Sequence, residues 1–251
     1  MLVGTALLIA GAAFYALARE TSLFAIRTVS VVGAPPGIAR EVAQVAQADV
    51  GESLLRVDGA DLLRRVRALP SVASVRYDRA FPHTLRLIVT PERPVAVVRQ
   101  GSASWVVSMR GRIIRTLPHH TRRGLPRIWL GRTAQVIVGA KLHDRLAMKA
   151  IAALDPLVAN PLGARIAHVQ IERGELTLVT ASRIEIQLGE PTDLALKLAV
   201  ARRILPSVSP SSSGTAYVDV SVPEWAVTGV RTLNPKVEVY TSSTGQAGMS
   251  H

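Results

Sequence analysis

The stretch "RAFPHTLRLIVTPERP", residues 79–94, decides the fold. Two runs of strand-like alternation meet at Pro82-His83-Thr84, and the second ends in Pro91-Glu92-Arg93-Pro94. On an extended chain Leu85, Leu87 and Val89 share one face, with Arg86 and Ile88 on the other. Pro82 fixes φ and lacks an N–H, so it suits a turn and not a central strand. Pro91 and Pro94 end the pairing and set the link to the next domain. The reading is a β-hairpin made of "VASVRYDRAF" and "TLRLIVTPE", and it carries no catalytic group.

The residues upstream complete a domain. "FAIRTVSVVGAP" alternates and stops at Gly33 and two prolines, which predicts a strand. Residues 37–48 place Ile38, Val42 and Val45 on one helical face, and Gly51 ends that helix. A second helix comes next, with Asp58 as N-cap, Leu62, Leu63 and Val66 as its apolar stripe, and Pro70 as its stop. The order is strand, helix, helix, strand, strand.

Downstream, "PVAVVRQ", "SASWVVSM", "RIIRTL" and "LPRIWLG" are short β-branched runs, with Gly111 in an Arg-Gly-Arg turn. "GAKLHDRLAMKAIAALDPL" is helical, with Leu142, Leu146, Ile151 and Leu154 as its stripe and Pro156 near its end. Three strands are expected in "ARIAHVQIERGELTLVTASRIEIQLGEP". A helix with Thr192 as N-cap is expected in "PTDLALKLAVARRILPS", and "TAYVDVSV", closed by Pro223, is the expected last strand. From Gly229 onward Gly, Ser, Thr and Asn dominate, which predicts a disordered tail over 229–251.

The chain has 251 residues, no cysteine and a formal charge of +12. Without cysteine there is no disulfide framework, thiolate metal site or thiol nucleophile. Lysine occurs only at Lys141, Lys149, Lys197 and Lys236, and the many arginines are scattered rather than clustered. Aromatic residues make up 4% of the chain, too few for a base-stacking surface. The charge is read as a solvated basic surface rather than as a nucleic-acid footprint.

Residues 1–18, "MLVGTALLIAGAAFYALA", carry no charge before Arg19. That length is at the short end of the ~17–25 residues a bilayer-spanning helix needs. An uncleaved transmembrane helix is the leading reading, and an anchor of this kind is expected to come after a longer cytoplasmic tail. A cleaved signal peptide lacks its basic n-region here, although "ALA" before Arg19 is a small-residue pattern. A buried core helix is the third reading.

Catalytic chemistry is not legible. His83, His119, His120, His143, His168 and His251 fall in no zinc-binding spacing, and His119-His120 reads as an exposed polar turn. No G-x-S-x-G, P-loop or G-x-G-x-x-G motif is present, and Asp155, Glu172, Glu175, Glu185 and Glu190 are spread over turns and strand ends. No cofactor, metal or small-molecule substrate is expected. The terminal strand in "AYVDVSV" offers a sheet edge for a partner strand, with Pro223 as a natural guard.

In this order, "FAIRTVSVVG", "GESLLRVD", "LPSVASVRYDRAFPHTLRLIVTPERPVAV" and "SMRGRII" resemble the FtsQ/DivIB family of bacterial cell-division proteins, over roughly residues 24 to 228. The resemblance implies an α+β protein: a transmembrane helix (1–18), a POTRA domain (24–92) and a β-rich domain with two helices (93–228). Arg79, Pro82, Thr84, Leu85, Glu92 and Pro94 would be the structural residues of the POTRA hairpin. It further implies a non-catalytic divisome scaffold at the septal cytoplasmic membrane, most of it extracytoplasmic. Its partners would be ectodomains of the FtsB/DivIC and FtsL type, docked at the end of the β domain. Carried onto matching positions, the partner-binding residues are Tyr217, Asp219, Ser221, Val222, Glu224 and Trp225. Ser221 stands where some members carry arginine, and Val222 where some carry tyrosine. The main alternative is a POTRA-containing component of protein secretion or outer-membrane assembly, against which the single POTRA unit and the lack of a barrel-like tail both count.

Overall fold

The computed structural model describes residues 22–118 and 124–232, together with Gly4 and Gly11. The expected membrane helix (apart from those two glycines), His119, His120 and the stretch 233–251 lie outside the described residues. Among the described residues no helix is long and apolar enough to cross a membrane.

The first domain has the predicted order: β1 (Thr28–Val32), α1 (Pro36–Ala46), α2 (Gly59–Arg67), β2 (Val72–Ala80) and β3 (Thr84–Pro91). Its sheet runs β1-β3-β2, with β1 parallel to β3 from Thr28↔Thr84 and β2 antiparallel to it through Arg79↔Leu85. Leu85, Leu87 and Val89 are buried under the two helices, as the alternation requires. Each such side chain contributes roughly 1.5–3 kcal/mol of transfer free energy. Val42 and Ala46 of α1 and Leu62 and Val66 of α2 fill the other side of that core. Asp58 caps α2 by accepting from the backbone N–H groups of Ala60 and Asp61 at 2.9 and 3.1 Å, a contact worth about 1 kcal/mol. Arg65 then ties α2 to the end of α1, bonding Asp49 at 2.6 Å and the Val45 carbonyl at 3.2 Å.

The second domain is a nine-stranded sheet backed by two helices. In chain order it contains β4 (Pro94–Gln100), β5 (Ala103–Ser108), β6 (Ile113–Thr116), β7 (Arg127–Trp129), α3 (Arg145–Ala159), β8 (Ile166–Glu172), β9 (Glu175–Thr180), β10 (Glu185–Gly189), α4 (Leu194–Ile204), β11 (Gly214–Asp219) and β12 (Val227–Thr232). The spatial order is β12-β11-β10-β9-β8-β7-β4-β5-β6. The pairs β7·β8 and β10·β11 are parallel. Parallel neighbours need a crossover, and α3 and α4 supply them. Those helices bury one face of the sheet around Ile128, Ile151, Leu154, Val169, Leu178, Ile186, Leu198 and Val218. On the other face Val97, Val106 and Leu117 form a small cluster at the β4–β6 end.

Three local expectations are corrected. Leu142 precedes α3 and Leu146 is half exposed, because the capping carboxylate of Asp144 starts the helix at Arg145 and turns alanines inward. Asp193, not Thr192, holds the N-cap of α4, in the left-handed region and without a side-chain cap bond. The tail does not begin at Gly229, since β12 runs through it to Thr232.

The domains meet at the Arg-Gly-Arg turn between β5 and β6. Arg110 bonds the buried carboxylate of Glu92 at 2.7 Å. Arg112 donates to the Arg67 and Val72 carbonyls of the first domain at 3.0 and 3.2 Å, and to Gly139 at 2.9 Å. Glu92 and Pro94, expected as the exit of the hairpin, thus sit where one domain is braced on the other.

Candidate docking edge

The end of the large sheet is built around β11, which pairs in parallel with β10 and antiparallel with β12. This corrects the sequence reading of "AYVDVSV" as the terminal edge: β11 has a neighbour on each side, and the outer strand is β12. Tyr217 and Asp219 lie across from Gly229 and Val227 on one side, and from Glu185 and Gln187 on the other. They face the side of the sheet away from the helices, since Ala216 and Val218 are the buried members of the strand.

Gly229 is required by its neighbour. A Cβ at that position would lie 2.8 Å from the Tyr217 hydroxyl, so the ring rests on bare backbone. Arg231 completes the cluster, with its guanidinium carbon 5.7 Å from the Tyr217 ring centre and one nitrogen 3.5 Å from the Glu185 carboxylate. The turn leaving β11 is fixed by Asp219, whose carboxylate accepts from the Ser221 N–H at 2.9 Å. Val220 extends the strand contact by donating to the Gln187 carbonyl at 2.9 Å. A concavity of about 550 Å³ opens on this face between Gln170, Thr177, Gln187, Asp219, Ser221 and Arg231.

The rim of the edge is apolar. Pro223–Trp225 form a single 3₁₀ turn between β11 and β12, closed by Trp225 N–H donating to the Val222 carbonyl at 3.0 Å. Trp225 is 79% exposed and Val222 52%, and Val227 and Val230 of β12 are about as open as Val222. Glu224 is exposed beside them. The structure therefore gathers the six residues named from the sequence at one end of one sheet: two on an interior strand, four in the turn. Most of the Trp225 side chain is open to solvent rather than packed in the core.

The strand β12 is absent from the sequence reading, where Gly229 and the polar run after it read as tail composition. The signal for it is "VTGVRT" itself, in which four of six residues are β-branched. Among the described residues no group of three His, Asp or Glu is arranged to hold an ion.

A POTRA fold joined to a β-rich domain whose outer strand, among the described residues, is β12 defines a class, the POTRA-bearing two-domain proteins. The family model for the POTRA domain, FtsQ-type, matches residues 24–91, and the model for cell division protein FtsQ/DivIB, C-terminal, matches residues 96–221. The chain belongs to the FtsQ/DivIB family of cell division proteins. It is 28% identical over 205 residues to the cell division protein FtsQ of Myxococcus fulvus, covering 80% of this chain and 72% of that one. It is also 28% identical over 228 residues to the FtsQ of Streptomyces venezuelae, covering 88% and 79%. A shorter match to the FtsQ of Streptomyces bingchenggensis reaches 32% over 125 residues, covering 49% and 46%.

Proposed function

We propose that this protein is a non-catalytic scaffold of the divisome, anchored in the cytoplasmic membrane by residues 1–18 and acting outside the cytoplasm at the septum. Its task is to dock coiled-coil ectodomains of the FtsB/DivIC and FtsL type by strand addition along the free side of β12. The observation that carries this reading is an outer strand with no neighbour beyond it among the described residues, flanked by Trp225, Val222, Val227 and Val230 in the open. Such an edge is a template for another chain, and natural proteins normally blunt it with charge, proline or a cover. Pro223 lies in the turn rather than on β12, and Arg231, the one charge of that strand, reaches back to Glu185. Backbone bonds along β12 would supply affinity, and Trp225 would supply an aromatic anchor of the kind that dominates interface energetics.

The test is a titration of the full chain, held in nanodiscs, with a purified complex of the partner ectodomains. Trp225→Ala is expected to weaken binding about tenfold or more, roughly 1.4 kcal/mol. Val230→Lys places a charge on the edge and is expected to weaken it comparably with little loss of fold stability. Absence of saturable binding by the folded wild-type chain sinks the reading.

A further inference from the structure

The pole of the POTRA domain where the chain arrives from the N-terminal segment is also the tip of its hairpin. Parallel pairing starts at Thr28↔Thr84, so the turn at residues 81–83 lies beside the residues that lead into β1. The contacts there are close. The N–H groups of Arg27 and Thr28 donate to the His83 carbonyl at 2.9 and 3.2 Å, and the His83 Nδ1 lies 3.1 Å from the Ala25 carbonyl. Phe24 meets Phe81 edge to face with ring centres 5.5 Å apart. From the other side, Leu54 N–H donates to the Phe24 carbonyl at 2.8 Å, so the arriving segment is strapped on two sides and its side chains have fixed directions.

What this pole presents outward is apolar. Leu23 is 58% exposed and Phe81 53%, at the end of a domain whose other large apolar side chains are mostly packed. Pro82 is exposed beside them, and Arg27 is exposed at the margin. An aromatic and a leucine held rigidly at a tip, with an arginine at the margin, match the side chains that settle in the headgroup layer of a bilayer. The spacing along the chain selects the lipid surface as their occupant. The charge-free run ends at Ala18, five residues before Leu23. Even a fully extended link of that length spans no more than ~18 Å. Headgroup layers add roughly 5–7 Å on each side of the hydrocarbon, so a link this short keeps Leu23 and Phe81 within reach of the headgroup layer.

We propose that Leu23 and Phe81 form a second membrane contact, inserting into the outer headgroup layer and fixing the POTRA domain against the bilayer. This rests on the reading of residues 1–18 as a membrane anchor. With the tip seated, the domain stands at a defined tilt rather than swinging on its link, and the docking edge at the far end of the second domain is held at a set height above the membrane.

Because the chain has no cysteine, single labels can be placed without background. The full chain would be reconstituted into nanodiscs of phosphatidylethanolamine and phosphatidylglycerol. The environment-sensitive dye NBD would be attached in turn to Phe81→Cys, Leu23→Cys, Ala12→Cys and the β-domain control Val158→Cys. Labels at 23 and 81 are expected to shift to the blue and to be quenched by shallow spin-labelled lipid several-fold more than the label at 158. Phe81→Ser in the Leu23-labelled chain is expected to reduce that quenching, which assigns the insertion to the phenyl ring rather than to the dye. A label at 81 as water-exposed as the one at 158 overturns the inference. The label at Ala12 then separates the two failures: quenched by deep spin-labelled lipid, it confines the error to the hairpin tip, and unquenched, it removes the anchor reading as well.

Discussion

The two ends of the nine-stranded sheet are treated in opposite ways. At one end β6 is covered as soon as it begins. The Ile113 N–H donates to the Ala140 carbonyl at 2.9 Å and Gly139 N–H returns a bond to Ile113 at 2.8 Å, with a further bridge between Arg112 and Lys141. Arg112 then locks the same corner to the POTRA domain. At the other end β12 has no strand or loop along its outer side among the described residues, its valines stand open, and its one charge, Arg231, reaches back to Tyr217 and Glu185. A chain that closes one edge with a loop and an arginine clamp has the means to close edges. On the proposed function, the edge left uncovered among the described residues is the surface a partner strand would use.

The closed edge can be broken at a single residue. Arg112→Ala leaves the carbonyls of Arg67, Val72 and Gly139 without their donor at a partly buried junction. Bonds from a charged donor are worth about 1.5–3 kcal/mol each, and water recovers part of that on a half-open surface. The expected cost is roughly 2–4 kcal/mol in denaturant unfolding. Small-angle scattering should also show a broader distribution of distances between the domains. Arg112→Lys should recover less than half of the loss, because an ammonium cannot reach three carbonyls from one plane. An unchanged scattering curve in the alanine variant would mean that other contacts set the domain angle.

The open edge has a weaker internal support, and Gly229 tests it. A methyl group there meets the Tyr217 ring, so Gly229→Ala must displace either the ring or the strand. Overpacking of this kind costs about 1–3 kcal/mol. Partner binding should fall with it, because Tyr217 holds Arg231 and the line of β12. The control is Gly37→Ala in α1, where an added Cβ meets nothing within 4 Å and the melting temperature should hold or rise. Equal behaviour of the two variants would show that the Tyr217 side chain is not what shapes the outer strand.

Much of the fold is legible because the POTRA sequence states each rule separately. The alternation of Leu85, Leu87 and Val89, the cap at Asp58 and the stops at Gly33, Gly51 and Pro70 each correspond to a feature of the structure. The candidate site is legible only as a neighbourhood. Trp225 and the β11 residues are marked through a family resemblance, and no chemical motif points to them. The outer strand is hidden because an edge strand has only one paired side and one packed face, so its sequence carries neither a buried run nor a clean alternation. In β12 even the residues facing the helix side, Thr228, Val230 and Thr232, remain exposed, which erases the hydrophobic period that would reveal a strand. The Arg112 clamp is invisible for a different reason: it bonds carbonyls, and every residue has one.

His168 lies between the two edges, on the sheet face away from the helices, opposite Arg127 and edge to face with Trp129 at 5.1 Å. Burial pushes its imidazole below the ordinary value of 6.5 and Arg127 adds to the shift, while Glu185 opposes it. The unfolded chain therefore binds this proton more readily than the folded one. Stability from this group is intact above pH 6.5 and is lost as pH falls from there through the lowered folded-state value. His168→Gln keeps a polar side chain of similar reach and cannot take up that proton. At about pH 7.5 its melting temperature should stay close to wild type, and between about pH 7 and 5 it should decline less steeply. This is the smallest effect of the three, because the imidazole is partly solvated, yet its sign is specific. A variant that declined as steeply as wild type would show that the open face does not hold His168 neutral.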